Sequence, residues 1–260
     1  MNSVEESVVR AMDGTDTALF SFLPYILQDS WELGTDPAVV LSLLREHNAH
    51  DDTLSLLDLG CGKGAVSVRA AERFGCRCHG IDGIPAFIAD AQRYAREAGV
   101  QHLCRFEAGD IREAVATQKG FDIVVLGSVG PVLGNYTETL TAVARCMRPN
   151  GKVILDDWYL DDASNFSHPQ VVKRHAMLEQ IKAAGMDVIV EEVMPRERLV
   201  ETDNALSRAI ERRCHELTAM HPEKEALFVD YVRRQREMNH MLENEVTCAT
   251  MLLQRNESGD

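Results

Sequence analysis

No feature restricts the fold of this chain more than the stretch from Thr53 to Ala71, TLSLLDLGCGKGAVSVRAA, in which a short apolar run gives way to three glycines and then to a helical pattern. Leu54, Leu56, Leu57 and Leu59 predict a strand covered on both faces. Gly60, Gly62 and Gly64 follow at alternate positions. Without side chains there, the main chain can turn sharply and touch a ligand that a Cβ would hold away. The helical pattern from Ala65 to Phe74 puts this turn at a helix N-terminus, whose free N–H groups favour an anionic or acceptor-rich ligand part. The combination predicts a nucleoside-type cofactor site.

Gly60, Gly62 and Ala65 satisfy the dinucleotide fingerprint G-x-G-x-x-G/A, but two details around it differ. Asp58 stands two residues before the first glycine, and the third glycine follows the second after a single residue. A carboxylate at that place would repel a pyrophosphate and suit a ligand carrying an ammonium group. The run Asp58-Leu59-Gly60-Cys61-Gly62-Lys63-Gly64 resembles the first motif of the class I methyltransferases that use S-adenosylmethionine (SAM). That resemblance implies that the aminoacyl end of the donor lies along Asp58, Gly60, Cys61, Gly62 and Gly64. Asp82, about 20 residues past the glycines at the end of a predicted strand Cys76 to Gly83, is placed to accept from both ribose hydroxyls, and Gly83-Ile84 fits the same family. After a strand over Leu103 to Ala108, the resemblance makes Asp110 the acceptor of the adenine amino group, beside Ile111. Ser128 joins the cofactor set from the loop that follows the buried strand Phe121 to Ser128. The glycines of this loop, 127 to 134, either allow close approach to the methyl-bearing sulfur or form a flexible connection. The Asn/Asp-Pro-Pro-Tyr/Phe motif with which many nucleic-acid and protein-amide methyltransferases grip a planar nitrogen does not occur in it.

Charge narrows the acceptor. Lysine plus arginine number 27 against 41 acids, a net charge of −14, so a phosphate backbone would meet repulsion and nucleic acid is not an expected partner. The start, MNSVEESVVRAMDG, has no basic n-region, and nowhere do 18 apolar residues run together. A soluble, cytoplasmic protein without a membrane partner is expected. Seven cysteines are an odd number and fall mostly within predicted strands and helices, so reduced thiols are expected. Cys76-x-Cys78 reads as core packing, because no second pair stands at metal spacing, and no metal is expected.

The chain divides by pattern. Residues 1–52 read as an N-terminal helical cap carrying Phe20, Phe22, Tyr25 and Trp31, with a helix starting at Asp36-Pro37. In a family of this type such a segment crosses the mouth of the cleft, which makes Tyr25, Asp29 and Trp31 substrate-facing; the plain alternative is packing on the sheet. Residues 53–195 and 244–260 read as the core. Within it, a turn at Arg148-Pro149-Asn150-Gly151 leads to the strand Lys152 to Trp158, which ends on Asp156 and Asp157. By period-two alternation the two carboxylates point to opposite sides and form no dyad. Candidates for catalysis are Asp156, Asp157, His168 and Tyr25; substrate candidates are Tyr25, Trp31, Trp158 and Tyr159. His168 precedes Pro169 at a predicted helix entrance, with the helix over 170–184. Residues 196–243 read as an antiparallel helical hairpin turning at His221-Pro222. It serves either as a lid or specificity element, or as a homodimer contact or buttress.

Seven strands alternating with helices until the last two predict an α/β, Rossmann-like doubly wound sheet with an antiparallel last strand. Function then follows from the resemblance: in-line transfer of a methyl group from SAM to a small organic acceptor. Two other readings share most of the motifs. A nicotinamide-dependent oxidoreductase would use the glycines and Asp82, and a catalytically silent SAM-binding scaffold would keep every cofactor residue.

Overall fold

The structure is a computed structural model that describes residues 3–48 and 54–256; Thr53 and the outermost residues of the cap and tail expectations lie outside the described residues. In chain order the elements are α1 (Val4–Ala11), a 3-10 turn (Thr17–Phe22), α2 (Leu23–Ile26), α3 (Pro37–Asn48), β1 (Ser55–Leu59), α4 (Ala65–Phe74), β2 (Arg77–Asp82), α5 (Pro85–Glu97) and β3 (Cys104–Ala108). They continue with α6 (Ile111–Thr117), β4 (Phe121–Gly127), α7 (Tyr136–Ala144), β5 (Met147–Tyr159), α8 (Arg174–Ala183), β6 (Met186–Val193), α9 (Arg196–Met220), α10 (Glu225–Asn244) and β7 (Thr247–Arg255).

The apolar run before the glycines supplies both sides of the core. Leu54 and Leu56 pack into one cluster with Val40 and Leu43 of α3, Val68 of α4 and Ile88 of α5. Leu57 and Leu59 pack into another, with Ala114 of α6, Leu140 and Val143 of α7 and Ile181 of α8. Leu56, Leu57 and Leu59 are wholly buried, and each contributes about 1.5–3 kcal/mol through the surface it removes from water. A strand needed on both faces has to lie inside a sheet, and β1 does, between β2 and β4.

The sheet order is β3-β2-β1-β4-β5-β7-β6, with β7 antiparallel to both of its neighbours, as the sequence predicts. The order reverses at β1, so the carboxyl ends of β1 and β4 diverge there and leave the crevice in which such sheets hold ligands.

Some boundaries differ from expectation. The segment Arg148-Pro149-Asn150-Gly151 does not precede β5 but lies within it, as a bulge: Phe121 pairs with Met147 and Ile123 with Lys152, so the β5 side carries the extra residues. The helix expected from residue 170 begins at Arg174, because residues 168–171 close a local bridge between His168 and Val171. His168 therefore sits in a connection, and its ring Nδ1 accepts from the Gln170 N–H at 3.3 Å.

The helices before α3 and the hairpin form one body above the sheet. Leu19, Leu23 and Ile26 share a cluster with Ile210, Leu217, Phe228 and Tyr231. Asp29 pairs with Arg212 and Arg213, each at 2.7 Å, and the Tyr25 hydroxyl donates to Glu216 at 2.8 Å. The outer face of the hairpin is laced by Arg233 with Asp230 and Glu237, and by Arg236 with Glu211. Among the described residues no helix is long and apolar enough to cross a membrane.

Candidate active site

A cavity of about 260 Å³ lies between the carboxyl ends of the parallel strands and this helical roof. Its floor includes Gly60, Gly62, Asp82, Gly83, Gly109, Asp110, Ile111 and Ser128; its roof includes Val8 of α1, Leu33, Leu206 of α9 and Met238 of α10. Seven positions singled out as cofactor residues, all of these but Gly109, thus come together on one wall.

The three glycines of the turn all have positive φ, at +76°, +52° and +74°, yet they serve different ends. A Cβ on Gly60 would stand 2.4 Å from Val129 Cγ1, and one on Gly64 would stand 2.9 Å from both Ala91 and Phe106. These two glycines admit protein neighbours. At Gly62 the nearest atom to such a Cβ is Leu33 Cδ1, at an ordinary contact distance of 3.7 Å, so of the three this glycine has the most room beside it.

Asp82 is buried at the end of β2, where its Oδ2 accepts from the Gly62 N–H at 2.9 Å and its Oδ1 from the Ile84 N–H at 2.8 Å. Burial, against these two N–H groups, pushes its carboxyl up to about 6. One lone pair on each oxygen remains for a further donor. Ile84 contributes this N–H and turns its side chain into the roof core.

Asp58 lies one layer deeper. Its Oδ2 accepts from Ser67 Oγ at 2.7 Å, and with Cys61, Leu33 and Thr35 it lines a pocket of about 20 Å³ beneath the glycine turn. Burial first and the charge of Asp82 second push the Asp58 carboxyl up to about 6. Asp110 caps α6 by accepting from the Arg112 N–H at 2.9 Å, and its two oxygens also hold the Arg112 side chain.

The predicted split of Asp156 and Asp157 is present. Asp156 Oδ2 accepts from Thr35 Oγ1 at 2.8 Å and Ser128 Oγ at 2.9 Å, and its Oδ1 accepts from Thr250 Oγ1 at 2.5 Å. Asp157 turns the other way: Oδ2 accepts from the Tyr136 hydroxyl at 3.0 Å and Oδ1 from the Trp158 N–H at 2.9 Å. Burial, against the Trp158 N–H and the Tyr136 hydroxyl, pushes the Asp157 carboxyl up to about 6. Both aspartates and Trp158 line the cavity.

The post-β4 loop is tied rather than loose at its start. Ser128, with φ at +54°, donates its N–H to the Asp156 carbonyl at 3.0 Å. A Cβ on Gly127 would meet Thr35 Oγ1 at 2.3 Å, so this glycine lets the Thr35 hydroxyl reach Asp156.

Other candidates are placed elsewhere. Tyr25 meets the hairpin through Glu216. Trp31 stacks on Tyr94 with ring centres 4.4 Å apart and donates to the Lys63 carbonyl at 3.0 Å; it borders the small pocket under the turn, not the main cavity. Tyr159 is buried with its hydroxyl on Glu191, and His168 faces an outer groove. The residues that sequence reading passed over are Thr35, Tyr136, Asp13 and Asp203. Only Tyr136 had a local signal: Asn135 and Glu138 form a capping box, which makes residue 136 the first of a helix next to the β4 edge.

The charge of the cavity is one-sided. Six aspartates line it, Asp13, Asp82, Asp110, Asp156, Asp157 and Asp203, against one cation, Arg112, which is paired with Asp110. Burial pushes Asp13 and Asp203 up to about 6 as well.

Residues 50–251 match a family model described as "Methyltransferase domain". Over 104 residues the chain is 28% identical to a probable chloroplastic tocopherol O-methyltransferase of Oryza sativa subsp. japonica, covering 40% of this chain and 29% of that protein. Over 86 residues it is 33% identical to norajmaline N-methyltransferase of Rauvolfia serpentina, covering 32% of this chain and 30% of that protein. The chain thus spans about a third of the length of these curated relatives. Among solved structures it resembles a SAM-dependent methyltransferase from Geobacter sulfurreducens, crystallised with S-adenosylhomocysteine, with a TM-score of 0.77 at 17% identity over 91% of this chain and 98% of that one. At that identity the likeness is one of fold.

Proposed function

The chain belongs to the methyltransferase-domain family over residues 50–251, and on that premise we propose that it transfers the methyl group of SAM to a small organic acceptor. What carries the reading is the joining of Gly62, Asp82, Gly83 and Asp110 in a largely apolar cavity whose charged lining is six aspartates against one paired arginine. The residues fit the donor part by part. Asp82 keeps one lone pair on each oxygen for two ribose hydroxyls, Gly62 offers bare backbone to the aminoacyl end, and the aspartates favour a ligand with ammonium and sulfonium charges. The same wall would repel the pyrophosphate of a nicotinamide dinucleotide.

When bound, the donor supplies a methyl carbon already activated by the positive sulfur, so the protein's task is chiefly to hold an acceptor in line and to exclude water. The roof suits that task. Leu206, Ile210 and Met238 from the hairpin face the cavity, which supports reading the hairpin as a lid or specificity element. With net charge −14 and cysteines that are all free thiols, the enzyme works on small molecules, not nucleic acid, in a reducing compartment such as the cytoplasm.

Isothermal titration of the full chain with SAM, S-adenosylhomocysteine and NAD in turn tests the assignment. Saturable heat with the first two and none with NAD is expected; binding of NAD alone would refute it. Transfer of label from methyl-labelled SAM to a panel of small acceptors separates an enzyme from a silent scaffold.

A further inference from the structure

Beside the main cavity lies a second one of about 560 Å³, bounded by the loop after β4 and the start of α7. The two share Ser128, Val129, Asp156, Asp157 and Trp158, so they meet at the end of β5. Away from that junction the second cavity is mixed: Leu126, Pro131, Leu155 and Val172 line it together with Asn135, Gln170 and Gln180, and at its α1 and α6 side Asp13 stands with Arg10 and with Arg112, which is paired with Asp110; of the two cavities only this one reaches Tyr136. Resting on the methyltransferase reading, we propose that this second cavity holds the acceptor, that the acceptor is an amine, and that Asp157, positioned by Tyr136, takes its proton.

The geometry points first to Asp157. It stands at the junction, where an acceptor atom has to meet the donor's methyl group, and it has spare acceptor capacity: one oxygen takes the Tyr136 hydroxyl at 3.0 Å and the other the Trp158 N–H. Its neighbour Asp156 is engaged by three hydroxyl groups and is held toward Thr35 and Thr250. Tyr136 is itself fixed, as the first residue of α7, with its N–H on Gln180 Oε1 at 3.0 Å. A hydroxyl held in this way keeps the carboxylate oriented toward the cavity.

The choice of an amine follows from charge. Burial lowers the proton affinity of an ammonium and raises that of a carboxylate, so the two approach one another, and transfer turns a desolvated ion pair into a neutral pair. For a hydroxyl or phenol acceptor, burial raises both affinities and transfer only moves a negative charge among aspartates. The direction seen at Asp157, upward through burial, is the one the amine case uses. In the step itself the ammonium proton passes to Asp157, the freed nitrogen lone pair forms the N–C bond, and the C–S bond breaks with its electron pair leaving on sulfur. The methylated product departs as an ammonium ion and Asp157 returns its proton to solvent.

The test uses isosteric probes on the full chain loaded with S-adenosylhomocysteine: benzylamine, benzyl alcohol and benzoate, with affinity measured by calorimetry. Benzylamine is expected to bind at least tenfold more tightly than the other two, and Asp157→Asn to remove that preference. Benzylamine affinity should rise with pH through the Asp157 titration. In Tyr136→Phe that limb should move to higher pH, because the lost hydroxyl favoured the ionised carboxylate; a merely structural tyrosine would not move it. The other groups facing the site, Asp156 on β5, Cys248 on β7, Arg112 on α6, Arg10 on α1, Asp13 after α1 and Asp203 on α9, are unchanged in both variants. Equal or tighter binding of the alcohol or benzoate, absence of binding by all three, or an unmoved limb in Tyr136→Phe would overturn the proposal. Failure of S-adenosylhomocysteine itself to bind would instead refute the donor assignment beneath it.

Discussion

In an Asp82→Asn variant the side chain at the end of β2 loses its charge and keeps its shape, so folding and donor binding should respond in different directions. The buried carboxyl has risen from its ordinary 3.8 to about 6, which costs the folded wild type about 3 kcal/mol at neutral pH. A neutral amide avoids that cost. It also turns one NH2 group toward either the Gly62 or the Ile84 backbone N–H, leaving that donor without a partner for about 1–3 kcal/mol. The net change lies between about zero and 2 kcal/mol of stabilisation, or a rise in Tm of up to about 8 °C at about 2–4 °C per kcal/mol. The sign depends on pH. Because the folded pKa is raised, the wild type loses stability as pH climbs from about 4 to about 6, and the advantage of the variant should fade below that window. Donor affinity should fall meanwhile: exchanging two charge-assisted bonds to ribose hydroxyls for weaker or mismatched ones costs about 1.5–3 kcal/mol, a ten- to hundredfold rise in Kd. Scanning calorimetry at pH 4 and 7.5, with titration of SAM at 25 °C, measures both. At pH 7.5, a Tm lowered by more than about 4 °C, or SAM affinity within twofold of wild type, would refute the reasoning that Asp82 is kept for a ligand at the expense of stability.

Two further outcomes follow from the turn. Gly62→Ala and Gly99→Ala both force alanine into positive φ, at +52° and +73°, and should each cost about 1–2 kcal/mol in chemical denaturation; only the change at Gly62 should weaken SAM binding, by at least tenfold. Lys63→Met should lower Tm by about 6–12 °C, since the wholly buried Lys63 ammonium donates to the carbonyls of Leu27 at 2.6 Å and Ser30 at 2.8 Å, and losing both bonds costs about 3 kcal/mol. Thermal unfolding followed by circular dichroism reads it.

The donor side of the site could be read from the chain because its parts are local. Gly60 to Gly64 and the helix that follows form one strand–turn–helix unit, and Asp82 ends the next strand of the same βαβ repeat, so parallel pairing brings it to the turn without help from distant sequence. The remainder of the site is assembled differently. Tyr136 comes from the start of α7, Asp157 from β5, Thr35 from the N-terminal cap and Asp203 from the hairpin, and no spacing links them. In the cap, where a substrate-facing and a packing role were both open, Tyr25 pairs with α9 and Trp31 with the glycine turn. Lys63, within the motif itself, reads as a motif filler in sequence and in the fold pins the Leu27 to Ser30 segment.

By itself, the sequence determined the layered sheet, the position of the crevice and the donor wall, because hydrophobic period, glycine freedom and strand-end carboxylates act within a few residues of one another. Only the tertiary structure decided which glycine has room beside it, that Asp157 takes the Tyr136 hydroxyl while its neighbour Asp156 takes those of Thr35, Ser128 and Thr250, and that cap and hairpin pack together. Those outcomes depend on side chains from separate elements competing for the same buried space.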